Sequence, residues 1–143
     1  MDATIQITEI TIPRFEITEY GKQNKQIPFD GYEFQFTQQL RFSEEEKTLQ
    51  SNFTVKLLEK IDEHTKNELA IMSMVNTIRV LNFSDVIKKE GNELMMPDGL
   101  IHLINGMAIQ HSRGALIAKL QNTSYSNALM PLIDPKILAP KKN

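Results

Sequence analysis

Residues 111–138 read "HSRGALIAKLQNTSYSNALMPLIDPKIL", and the fold turns on where this stretch puts its apolar side chains. Upstream, from Leu100, apolar residues recur at helical spacing as far as about Gln121, a rod of roughly 30 Å at ~1.5 Å per residue. Leu100, Leu103, Ile104, Met107 and His111 share one face. Asn105, Ala108, Ser112 and Ala115 form a second stripe of small residues, and Ile109, Leu116 and Leu120 a third. A surface helix shows one apolar stripe, whereas a helix apolar on several sides is covered on several sides. One sheet covers one side, so the small stripe predicts close approach of a partner subunit's helix; the alternative is a core helix in a monomer. Past the polar "QNTSYSN", apolar residues return from Leu129 to Leu138, broken by Pro131 and Pro135. The prolines disfavour a continuous helix or a central strand. An irregular apolar segment of this kind seals the core or lines a groove.

The first half of the chain alternates with a strand period. Apolar residues occupy odd positions at Ile5–Ile7 and even ones at Ile10–Ile12, which predicts a bulge or bend near Glu9. Tyr32, Phe34, Phe36, Leu40 and Phe42 face one way, and Glu33, Gln35, Thr37, Gln39 and Arg41 the other, the pattern of an antiparallel sheet with one wet face. "SEEEKT" makes a turn. Leu49, Phe53, Val55 and Leu57 form the next apolar row, "DEHTKN" turns again, and "ELAIMSMVNTIRVLNF" reads as a longer strand covered on both faces in part. Between the first two strands lies "PRFEITEYGKQNKQIPFDG", too long for a hairpin and too apolar for a plain linker. It reads as a loop crossing the domain. The organisation is therefore a strand at 1–12, a crossing loop at 13–31, three strands within 32–83, a main helix at 98–121 with Asp98 as N-terminal cap, and a C-terminal segment at 122–143. "KKEGNELMMPDG" reads as a mobile connection before the helix. The fold class is α+β, a four-stranded antiparallel sheet with the helix and C-terminal segment on one face.

At 143 residues the chain is long enough for one domain with a real core, and 41% hydrophobic against 24% charged residues excludes a disordered chain. A net charge of −2 gives no electrostatic case for nucleic acid. With no cysteine, disulfide and thiolate chemistry are excluded. The N-terminal "MDATIQITEITI" lacks the basic and apolar regions of a signal peptide. No apolar run approaches the ~20 residues of a membrane span, so a cytoplasmic protein without membrane insertion is expected. His102 and His111 fall on opposite helix faces, His64 lies in a polar turn, and the carboxylates at Glu44–Glu46 belong to a solvated turn. No phosphate loop, nucleophile elbow or zinc spacing occurs. No catalytic residue, metal ligand or cofactor is assigned, and the protein is not expected to be an enzyme.

The layout of a strand-rich first half with a long first crossing, then a helix running through Ser112-Arg113-Gly114 into Pro-Leu-Ile-Asp-Pro (131–135) and Ile137-Leu138, resembles the SecB family of export chaperones and SecB-like relatives. The likeness covers roughly residues 4–138, with motif character only after Leu100. It differs in lacking the family's Tyr-x-Arg-Glu pattern in the helix. The resemblance implies ATP-independent binding of unfolded polypeptide in apolar grooves, assembly as a homotetramer (a dimer of dimers), and the export ATPase SecA as a candidate partner. By position it gives Phe15, Ile17, Tyr20, Phe29, Leu129, Met130, Leu132 and Ile133 as client-binding residues, and Asn105, Ala108, Ser112, Arg113 and Ala115 as the subunit interface. Arg113 would extend its charge past the apolar surface or pair across that interface, with Gly114 allowing close packing. The alternative is an adaptor of the same fold dedicated to one partner, for example an antitoxin-associated protein, without general holding activity. An acyl-chain enzyme of hot-dog type is disfavoured because there the helix precedes most of the sheet.

Overall fold

A computed structural model describes residues 3–138, the side chain of Ile137 excepted. The expected domain limits at 1–2 and 139–143, and the predicted apolar role of Ile137, lie outside the described residues. Strands β1 (Ile5–Ile17), β2 (Tyr32–Ser43), β3 (Thr48–Lys60) and β4 (Lys66–Val80) form one antiparallel sheet in the order β1-β4-β3-β2. A short helix α1 (Phe83–Val86) and a small hairpin, β5 (Lys88–Glu90) and β6 (Glu93–Met95), lead into the long helix α2 (Asp98–Leu120). The α+β class with its four-stranded antiparallel sheet is as read from the sequence.

The sheet side that faces α2 is written in the alternation. Leu49, Phe53, Val55 and Leu57 of β3 stand beside Ile78, Met74, Met72 and Ala70 of β4, and all are buried. On the other side of β3, Phe34, Phe36, Gln38, Leu40 and Phe42 of β2 continue the same face. Phe36 stacks on Phe53 with ring centroids 5.8 Å apart. Leu69 to Met72 are buried in succession, the doubly covered part of β4.

Strand β1 corrects the predicted boundary. The sequence predicts a strand over 1–12 and a crossing over 13–31, yet β1 continues through Ile17, which pairs with Ala70. Its register with β4 shifts between Ile7 and Glu9, near the expected position, and again between Thr11 and Arg14. Each shift adds a residue to β1, so the apolar positions step from Ile5 and Ile7 to Ile10 and Ile12 and then to Phe15 and Ile17 while staying on one face. Pro13 lies inside the second shift and on an edge strand, where a missing N–H breaks no ladder bond.

The crossing then occupies residues 18–31 and presses on the end of β4. Thr18 donates its N–H to Leu69 O at 2.9 Å and its hydroxyl to Glu68 O at 2.5 Å. A Cβ on Gly21 would lie 2.2 Å from Leu69 O and 2.8 Å from Ile17 Cγ2. Backbone cannot yield as a side-chain tip can, so Gly21→Ala is expected to destabilise the fold by about 1–3 kcal/mol, read as a lower midpoint in urea with unchanged slope.

Two further expectations change. Strand pairing ends at Val80, and Phe83 instead opens α1, whose buried Phe83 and Val86 close the core below Leu100 and Ile104. The connection expected to be mobile carries the β5–β6 hairpin, turned at Gly91 with φ 61°, a backbone angle glycine adopts freely. The cap position of α2 is Pro97, and Asp98 sits in the first turn, where its charge meets the positive end of the helix dipole. In the β3–β4 turn, Asp62 accepts the N–H groups of His64 at 2.8 Å and Thr65 at 2.7 Å, which hold its carboxyl below the ordinary range.

Candidate binding surface

Helix α2 lies on the sheet through its small stripe. Asn105, Ala108 and Ser112 are fully buried in the single chain. Gln38 Nε2 of β2 donates to Asn105 Oδ1, and the Ser112 hydroxyl lies 3.7 Å from Met74 Sδ of β4. Small side chains let the helix approach its own sheet, so the interface predicted for these three residues is corrected: they serve the core of one chain. Ala115 packs half-buried against the same core. His111 Nδ1 donates to Asn76 Oδ1 at 2.7 Å, tying the helix to β4.

The second covered side of α2 belongs to the chain's own C-terminal segment. Thr123 closes the helix, its hydroxyl donating to Leu120 O at 2.9 Å. The segment then runs back along α2. Arg113 Nη2 donates to Pro131 O at 2.8 Å, its Nε to Met130 O at 3.2 Å and its Nη1 to Gln110 Oε1 at 2.9 Å. Further back, Asn105 Nδ2 donates to Pro135 O at 3.4 Å. Arg113 therefore directs its fork to the chain's own C-terminal segment. Its planar fork bonds two successive carbonyls that the prolines and irregular backbone leave without ladder partners. Within the chain, nothing among the described residues lies within 4 Å of a Cβ added at Gly114.

The segment is pinned equally to the crossing. Tyr125 is fully buried, and its hydroxyl donates to Gly21 O at 2.5 Å. Asn127 Nδ2 donates to Ile27 O at 2.9 Å and its Oδ1 accepts from the Tyr32 hydroxyl at 2.6 Å. The Tyr32 and Tyr125 rings meet edge to face, centroids 6.5 Å apart. Tyr125 and Asn127 are not singled out by the sequence, because "QNTSYSN" reads as a polar break. The signal available was an aromatic with a polar tip among short amide side chains, the residue types that satisfy stray backbone groups.

Tyr32 gives this junction a pH signature. Burial, then the charges of Tyr125 and Glu59, push its phenol from 10.0 up to about 12. The unfolded chain releases that proton near pH 10 and the folded one keeps it to about pH 12. Between those values the folded state binds more protons, so stability falls as pH rises and is unaffected below pH 10. Chemical denaturation of wild type and Tyr32→Phe is expected to show this alkaline loss in the wild type and a smaller one in the variant.

Of the eight groove candidates, three project into solvent: Phe29 at 80% exposure in the crossing, Leu129 at 64% and Leu132 at 88% in the C-terminal segment. Met130, between the last two, is buried, and Ile133 is half-buried against the core. The alternation follows from the Arg113 clamp, which fixes the backbone at Met130 and Pro131. Phe15, Ile17 and Tyr20 are half-buried against the same core. The Phe15 ring carries Lys119 Nζ 5.8 Å from its centroid. The Tyr20 hydroxyl donates to Glu59 Oε1 at 2.5 Å and accepts from Lys25 Nζ at 2.7 Å. That bond to Tyr20, and after it Glu59, hold the Lys25 ammonium charged above its ordinary range. Of the eight, Phe29, Leu129 and Leu132 are thus exposed, Phe15, Ile17, Tyr20 and Ile133 are half-buried and Met130 is buried.

Among the described residues no group of histidine and carboxylate side chains could hold a metal, and no helix is long and apolar enough to cross a membrane. Neither a protein-family model nor a curated protein matches the chain.

Proposed function

We propose that the protein is an ATP-independent chaperone of SecB-like kind that holds non-native polypeptide on the surface made by the crossing and the C-terminal segment. One observation carries this reading: Phe29, Leu129 and Leu132 stand exposed on two irregular segments that the Asn127–Ile27 bond joins. Large apolar side chains placed outward on a pinned backbone leave area to be removed from water. An extended client would bury it at about 25 cal/mol per Å², and the irregular flanking backbone adds main-chain contacts with little sequence preference. Holding of this type draws on mass action against the client's unfolded state and needs no nucleotide.

Assembly into a homotetramer belongs to the same reading. With the small stripe used internally, its support comes from other residues: Leu103 and Ile117 on the open side of α2, and Ile7 and Ile10 on edge strand β1, are large and exposed.

Suppression of light scattering from an aggregating, denatured client, with the protein's mass measured in the same buffer, tests both parts. Suppression near one client per oligomer without nucleotide is expected. Leu132→Asp is expected to leave the melting temperature unchanged and to weaken holding about tenfold, the loss of one buried leucine and the desolvation of a charge. A Leu132→Asp protein that holds clients as well as the wild type would remove this surface from the account.

A further inference from the structure

The two edges of the sheet are built differently. On β1 the pairing with β4 slips twice, and Pro13 sits in the second slip; bulges and proline keep an edge from pairing further. On β2 the register with β3 runs from Tyr32 against Glu59 to Ser43 against Thr48 without a slip. Its 12 residues include no proline and no glycine, and no strand pairs with its far side among the described residues. A regular edge of this length presents a row of N–H and C=O groups to another extended chain.

The side chains of β2 say which chain fits. Glu33 and Arg41 are its only charged residues, and they stand at equal distances on either side of Thr37. By alternation both lie on the face turned away from α2. An antiparallel two-fold axis at Thr37 therefore sets Glu33 of each copy opposite Arg41 of the other. The same axis sets Gln35 opposite Gln39 and Thr37 opposite itself. On the α2 face it sets Tyr32 opposite Phe42 and Phe34 opposite Leu40. Moving the axis by one residue either way leaves Arg41 against Gly31 or Gln35, so only one register pairs the charges. Arg41 is exposed and has no ion pair among the described residues. Glu33 holds Lys66 Nζ at 2.6 Å, and a carboxylate can accept from a second cation as well.

We propose that β2 is a self-complementary edge on which a second copy of this chain docks, joining two four-stranded sheets into one about a two-fold axis at Thr37. Such an interface is isologous, so each favourable pair occurs twice. Opposite charges and apolar side chains set directly across antiparallel strands attract, and like charges there repel. The proposal rests on the assembly reading above and supplies one of the interfaces it needs.

Charge exchange tests it, with the mass in solution measured by sedimentation. Arg41→Glu sets two pairs of carboxylates across the axis, and Glu33→Lys two pairs of cations. Each variant alone is expected to associate about tenfold more weakly than the wild type, with its mass halved at a concentration where the wild type is assembled. Mixed in equal amounts the two complement each other, because one variant's change at position 33 meets the other's at 41 while native Arg41 meets native Glu33. The wild-type mass is expected to return in the mixture. Arg41→Glu keeps the Lys66 contact, so it reads the interface even where Glu33→Lys lowers the melting temperature. Variants that keep the wild-type mass, or that stay dissociated when mixed as folded chains, would overturn the pairing and leave assembly to other surfaces. A wild-type protein that is monomeric at every concentration would overturn both the pairing and the assembly.

Discussion

Replacing Tyr125 with alanine is expected to lower stability by about 3–5 kcal/mol, a fall of roughly 10–20 °C in melting temperature for a chain of this length. Tyr125 is the largest fully buried side chain described. It lies after the helix has ended, in a stretch with no ladder of its own. It belongs with Leu116, Leu120 and Ile27 to the larger core cluster, its ring meets Tyr32 edge to face, and its hydroxyl donates to Gly21 O. Removing the ring opens a cavity, and removing the hydroxyl leaves Gly21 O with only the Asn24 N–H, at 3.2 Å. Tyr125→Phe separates the two: it keeps the ring and loses the bond, and is expected to cost about 1–2 kcal/mol. Urea titrations of wild type and both variants give the comparison. A cost for Tyr125→Ala no greater than that for Tyr125→Phe would mean the ring is not the keystone of this junction.

Arg113→Ala carries the second large effect. The guanidinium holds Met130 O and Pro131 O together, and alanine leaves both carbonyls to compete for water under a segment that shields α2. Hydrogen bonds from a charged donor are worth about 1.5–3 kcal/mol. Because Arg113 is only half-buried, a loss of about 2 kcal/mol is expected. The effect is local, with the Met130 methyl resonance moving toward its solvent-exposed value and proteolysis falling within residues 126–134. Arg113→Lys keeps the charge but cannot bond two carbonyls in one plane, so an intermediate effect is expected. If Met130 stays buried in Arg113→Ala, the core alone holds the segment and the clamp is dispensable.

Much of the sheet was legible because its alternation is a two-residue signal tied to burial on one face. The rows at 34–42 and 49–57 needed no tertiary information. The first strand was half legible. The slip near Glu9 showed as a change of phase, whereas the second slip hid behind Pro13, since proline in a strand reads as an end unless the strand is known to be an edge.

The helix was legible as covered on several sides, but not by what. Small residues allow close approach without saying whether a sheet or another helix makes it, and here Gln38 meets Asn105 and Met74 meets Ser112. The C-terminal segment was legible as irregular and apolar. Which of its side chains point outward was not, because that depends on two carbonyls meeting Arg113 from 17 and 18 residues away.

The most direct test of the holding surface is a methyl and aromatic NMR titration of the protein with an unfolded, non-aggregating client. Chemical-shift changes concentrated at Phe29, Leu129 and Leu132, with Met130 and Tyr125 little affected, are the predicted result. A client that leaves these three unchanged, or shifts only residues elsewhere, would contradict the account.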